Sequence, residues 1–109
     1  MQIQFDAAKA ELYVPLCGEI DHHCAAAIRE EIDTALYACA PKTLVLDFSE
    51  VSFMDSSGIG LIMGRYRILQ PLGGSIVLQS PAPHISRILR LAGMERIAVL
   101  RVGRKETVR

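Results

Sequence analysis

Apolar positions along this chain recur with two periods. Residues 43–48 (TLVLDF) form a short, largely apolar run, the pattern of a buried strand. From residue 59 the period changes. Ile59, Ile62, Met63, Tyr66 and Leu69 recur at three- and four-residue steps and mark one face of a helix ending near Gln70. Upstream, residues 2–6 (QIQFD) alternate and predict an edge strand. Residues 11–17 (ELYVPLC) alternate with Leu12, Val14 and Leu16 on one face. Pro15 has no N–H for a ladder, so this strand lies at an edge or carries a bulge there, and Gly18 ends it. Asp21 then opens a helix as its N-cap. Its buried stripe is Ala25, Ile28, Ile32, Ala35, Leu36 and Cys39, while Arg29, Glu30 and Asp33 face water; Pro41 stops it.

Pro71, Gly73 and Gly74 break the second helix, and residues 75–79 (SIVLQ) give another strand. Ser80 and Pro81 read as cap and first residue of a third helix. Ile85, Ile88, Leu89 and Ala92 are its inner face and Gly93 its C-cap. Residues 97–102 (IAVLRV) are a last strand, followed by a short polar end. Strands that alternate with helices through short connections predict an α/β fold with right-handed crossovers and parallel pairing. The expectation is one domain over residues 1–109.

The junction between strand and second helix carries the chemistry. Asp55, Ser56, Ser57 and Gly58 stand where a helix has free N–H groups, and Asp and Ser side chains cap such groups well. Gly58 and Gly60 keep the first turn uncluttered, so that something large can approach the backbone. Asp55 and a serine can simply cap the helix. The wider string FMDSSGIGLIMGRY (53–66) nevertheless resembles the phosphorylation-site segment of the anti-sigma factor antagonists, a STAS-domain family, in particular its sporulation branch. GEIDHH (18–23) is similar to that family's second signature, at the passage from second strand to first helix. PLGGSIVL (71–78) and RILRLAGM (87–94) fit its later strand and helix, so the resemblance spans about residues 10 to 100.

The resemblance implies a mixed four- or five-stranded sheet with helices mainly on one face. It implies a phosphoacceptor on the serine after the aspartate, Ser56, with Ser57 as fallback. It also implies a partner-binding surface of Asp21, Asp55, Ser56, Ser57 and Gly58. Asp21 can serve as helix cap, kinase contact or both. The implied partner is an anti-sigma factor that is also a serine kinase and supplies the ATP; a metal-dependent serine phosphatase would remove the phosphate. Unmodified protein would bind the anti-sigma factor and free the sigma factor, and the phosphoprotein would not. Gly64 and Arg65 match the family string: Gly64 is expected to permit close packing, and Arg65 to pair with a partner's acid. Members usually carry a further C-terminal helix, for which the residues after 102 leave at most about two turns.

Composition narrows the alternatives. No apolar run approaches the roughly 18 residues of a membrane span. The N-terminus lacks a signal peptide's basic start and apolar core, so a cytoplasmic place is expected. Net charge is zero but unevenly spread. Residues 1–60 hold ten acids against three bases, and residues 85–109 hold seven bases against two acids. The basic end has no interleaved aromatics and the sequence pI is about 6.8, which argues against nucleic acid. Cys17 and Cys39 are expected in the core. Cys24, His22 and His23 point in different directions on a helix and chelate poorly, so neither metal nor cofactor is expected. His22 and His23 read as solvated or packed first-turn residues. A hydrolase built on Ser56 or Ser57 with His22 or His23 lacks the Gly-x-Ser-x-Gly elbow, and no phosphate-binding Gly-Lys-Ser/Thr loop is present. The chain is therefore expected to be a substrate and ligand rather than an enzyme. The alternative is a STAS interaction or sensor module in a stress-signalling scaffold.

Overall fold

The computed structural model describes residues 1–102. Five strands and three α-helices follow one another as β1 (Gln4–Asp6), β2 (Glu11–Ile20), α1 (Ala25–Cys39), β3 (Thr43–Met54), α2 (Ser56–Leu69), β4 (Ser75–Gln79), α3 (Pro83–Leu91) and β5 (Val99–Arg101). Short 3₁₀ turns follow α2 and α3. The sheet order equals the chain order. β1 pairs antiparallel with β2; every later pair is parallel. Because each crossover steps the same way across the sheet, right-handed connections put all three helices on one face.

The core confirms this. Leu12, Val14 and Leu16 of β2, Leu44, Leu46 and Phe48 of β3, and Ile76 and Leu78 of β4 share one face. They pack with Ile32 and Leu36, with Leu61, Ile62 and Leu69, and with Ile85 and Leu89. The mixed five-stranded sheet predicted from the sequence is thus present.

Several boundaries differ from those the sequence predicts. β2 does not stop at Gly18: it shifts register after Pro15 and again after Gly18, whose φ of 76° only glycine adopts cheaply, and continues to Ile20. β1 reaches only Tyr13, so Pro15 lies where β2 has lost its outer neighbour, as its missing N–H requires. Cys17 falls on the face opposite Leu12, Val14 and Leu16 and is exposed rather than in the core. Cys39 is half-buried against it. β3 runs six residues past Phe48. Ser49, Glu50 and Ser52 break its apolar run, but pairing with the extended β2 carries it to Met54. α3 starts at Pro83, not after Ser80, because Ser80 takes φ 54° and donates its N–H to the Arg101 carbonyl at 2.7 Å. Of its expected inner face, Ile85 and Leu89 are buried, Ile88 is half-buried and Ala92 is exposed. β5 spans three residues instead of six. The polar end expected after residue 102 lies outside the described residues.

On the opposite face, the Tyr13 hydroxyl donates to Asp47 Oδ2, and Asp47 Oδ1 accepts from the Ser49 N–H at 3.0 Å. Burial, and then the hydrogen bond and charge of Asp47, push the Tyr13 phenol up to about 12. The folded protein therefore keeps a proton that the unfolded chain, titrating near 10, has released. Stability falls as pH rises from about 10 through 12. Of the three tyrosines, one will ionise late in a spectrophotometric titration, and Tyr13→Phe will remove that late step. A late step that survives in Tyr13→Phe would assign it elsewhere.

Candidate functional site

β2 and β3 outrun β4, which pairs only with residues 43–47 of β3. The two long strands stay paired to their last residues, Ile20 opposite Met54. Asp21 and Asp55 therefore leave the sheet side by side, and the Asp55 N–H donates to the Ile20 carbonyl at 3.2 Å. Since the strand order never reverses, no crevice opens between diverging helices as in doubly wound sheets. The site is a surface at the carboxyl ends of β2 and β3. The His84 ring, at the start of α3, bonds the Ser52 carbonyl at 2.9 Å and braces the β3 side of this ribbon.

Asp55 caps α2 as its residue type predicts. Its backbone is extended, its Oδ1 accepts from the Ser57 N–H at 2.8 Å, and its carbonyl accepts from Gly58. Ser56 is the first residue of the helix and is exposed; Ser57 is half-buried. Gly58 is buried, and a Cβ there would fall on Cγ and Sδ of Met54. It keeps the helix close to the strand it leaves, rather than clearing the surface for a partner. The open position is Gly60, where a Cβ would meet nothing within 4 Å.

Asp21 is not the N-cap of α1, which begins four residues later behind Cys24. It caps a separate turn: Oδ1 accepts from His23 at 3.0 Å and from Cys24 at 3.1 Å, and its carbonyl accepts from Cys24 and Ala25. Desolvation opposes its charge, but the hydrogen bonds from Cys24 and His23, with the charge of His23, hold its carboxyl below the ordinary range. The hydrogen bond to Asp21 pushes the Cys24 thiol up, so this exposed cysteine is no activated thiolate. His22 and His23 are exposed, their ring centroids 4.0 Å apart.

Between α1 and α2 lies a cleft of about 470 Å³, lined by His22, Ala25, Ala26 and Arg29 on one wall and by Ser57, Gly60, Leu61, Gly64 and Arg65 on the other. It brings the two sequence signatures together, since His22 belongs to one and Ser57 to the other. Arg65 does not wait for a partner's acid: it is 5% exposed, with Nε 2.8 Å from Asp33 Oδ1 and Nη1 donating to the Leu61 carbonyl at 3.1 Å. Asp33 correspondingly turns toward α2 instead of facing water. Gly64 does not serve close packing, for its missing Cβ also borders open space. Apolar periodicity alone does not mark this cleft. Its available signal was the spacing Ser57, Gly60, Gly64, a small-residue strip beside the apolar stripe. Phe53, 48% exposed beside the ribbon's end, carried no such signal.

The pattern that defines the STAS domain matches residues 2–107. This chain belongs to the STAS-domain family. Within the family it is similar to the anti-sigma F factor antagonist of Paenibacillus polymyxa, 34% identical over 97 residues that cover 89% of this chain and 83% of that protein. The anti-sigma-B factor antagonist of Bacillus subtilis is 29% identical over 99 residues, 89% of each. Among solved structures, the anti-sigma factor antagonist SpoIIAA in its unphosphorylated form superposes with a TM-score of 0.78 at 32% identity, covering 96% of this chain and 88% of that one. STAS proteins of this group are regulatory binding proteins, and this STAS domain is one of them rather than an enzyme. Among the described residues no cluster of three metal-ligating side chains occurs, and no helix is long and apolar enough to cross a membrane.

Proposed function

We propose that this STAS domain is an anti-sigma factor antagonist switched by phosphorylation of Ser56. The observation that carries the reading is the placement of Ser56: exposed on the first turn of α2, between an aspartate and a serine already engaged in the cap. The similarity to SpoIIAA, solved in both unphosphorylated and phosphorylated forms, supports it. The unmodified surface of Asp21, Asp55, Ser56 and Ser57 binds an anti-sigma factor in the cytoplasm and so frees a sigma factor. That anti-sigma factor is itself the serine kinase and brings the ATP; a serine phosphatase resets the switch. The sporulation-type antagonists are a functional parallel.

Phosphorylation adds roughly −1.5 to −2 charges. At the N-terminus of α2 the dipole and free N–H groups accommodate that charge, so the fold hardly changes. Outward, it joins Asp21 and Asp55 in an acidic patch that repels the partner and fills its space. The test is intact mass after incubation with the co-encoded anti-sigma kinase and ATP. One added phosphate is expected, absent in Ser56→Ala and kept in Ser57→Ala. Loss of the phosphate only in Ser57→Ala would move the site. No phosphate on any form, with the partner still bound, would leave an interaction module of a signalling scaffold.

A further inference from the structure

We propose that the cleft between α1 and α2 receives a carboxylate side chain of the anti-sigma factor, gripped by Arg29. The proposal rests on the anti-sigma reading above and adds the residue that recognises the partner.

Charge carries the argument first. The cleft is lined by two guanidinium groups, Arg29 and Arg65, and by no carboxylate among the described residues. Asp33, the acid that touches a cleft-lining residue, is committed to Arg65. Arg29 makes no ion pair with any described residue. Burial lowers the Arg65 pKa most, and the positive charge of Arg29 lowers it further while Asp33 opposes both. The two cations thus feel each other across the cleft, and an incoming anion relieves that repulsion. Moreover, Arg65 Nε and Asp33 Oδ1 are close but misaligned, so neither has a hydrogen-bond partner although both are buried. Buried donors of this kind ordinarily find one.

Shape is the second, independent observation. Gly58 is required by Met54, but among the described residues nothing requires Gly60 or Gly64. Neither has a positive φ, and a Cβ at either would meet nothing within 4 Å. Each costs α2 about 1 kcal/mol against alanine. What these glycines preserve is the open wall of the cleft. The occupant is a single carboxylate rather than a phosphate or a nucleic acid. Asp21 and Asp55 stand outside at the end of β2 and β3, and would repel a polyanion while welcoming a neighbouring cation on the same partner. A phosphate on Ser56, one residue from the cleft-lining Ser57, places a negative charge where that carboxylate enters, which links the cleft to the switch.

The experiment is calorimetric titration of the unphosphorylated protein with the anti-sigma factor. It compares wild type, Arg29→Gln, Arg29→Glu, Gly64→Leu and the remote control Arg87→Glu, each checked for cooperative unfolding at a Tm no lower than wild type. Arg29→Glu and Gly64→Leu are expected to weaken binding by at least about tenfold, Arg29→Gln by less, and Arg87→Glu not at all. Arg29 is exposed, so its variants fold even if Gly64→Leu does not. Arg29→Glu binding within about threefold of wild type overturns the cleft proposal while leaving the anti-sigma reading intact. If Arg29→Glu keeps the anti-sigma factor but changes sedimentation, the cleft belongs to a second copy of this chain and the proposal fails. No binding by wild type overturns the anti-sigma reading and the cleft proposal together.

Discussion

Gly58→Ala will lower the melting temperature, while the same substitution at Gly60 or Gly64 will raise it. In an unhindered helix, alanine is worth about 0.5–1 kcal/mol over glycine, because glycine loses more backbone freedom on folding. Gly60 and Gly64 have room for the methyl group and take the full gain. At Gly58 the methyl meets Met54, which is 3% exposed and sits in the core with Ile20 behind it. Overpacking of that kind costs typically 1–3 kcal/mol, which outweighs the propensity gain. In a domain of this size each kcal/mol moves Tm by roughly 4–8 °C, so Gly58→Ala and Gly64→Ala should separate by on the order of 10 °C. Thermal unfolding followed by circular dichroism reads this directly. If Gly58→Ala melted as high as the other two, Met54 would have an alternative rotamer and the close approach of α2 to β3 would be looser than the geometry states.

This contrast also marks what was legible in the sequence. The existence and order of β2, β3, β4 and the three helices followed from apolar periodicity, because each buries one face against a common core. Asp55 as the cap of α2 was legible too, since capping depends on one side chain and its own neighbours. Features set by distant partners were not. Gly58 and Gly64 look alike in FMDSSGIGLIMGRY, yet only one has a neighbour in the way of a side chain. The end of β3 was hidden because Ser49, Glu50 and Ser52 interrupt the apolar run; the strand persists through its pairing with β2. Cys17 is a small apolar residue type that reads as core, yet the alternation that buries Leu12, Val14 and Leu16 puts it on the other face. At α3, Pro81 and Pro83 are both acceptable first residues, and the backbone bond from Ser80 to Arg101 decides between them.

Arg65 and Asp33 are the sharpest case, for their pairing crosses 32 residues and joins the two helices that wall the cleft. Their removal should be asymmetric. Asp33→Ala leaves a guanidinium, 5% exposed, with one hydrogen bond to the Leu61 carbonyl and no opposing charge. Breaking a fully buried pair this way costs about 3–5 kcal/mol. The Asp33 side chain is 25% exposed, so water replaces part of what is lost and about 2–3 kcal/mol is expected. Arg65→Met keeps the apolar stem and leaves Asp33 half-buried, one helical turn from Arg29, where an i, i+4 contact can take it up. That variant should lose only about 1 kcal/mol, comparable to one ordinary hydrogen bond. The double variant, Asp33→Ala with Arg65→Met, should then be more stable than Asp33→Ala alone, giving a coupling energy of at least about 1 kcal/mol in a denaturant-unfolding cycle. Additive losses would mean that the two side chains are held in place by their own helices. In that case the α1–α2 wall would owe its spacing to Ile28, Ile32 and Leu61 rather than to charge.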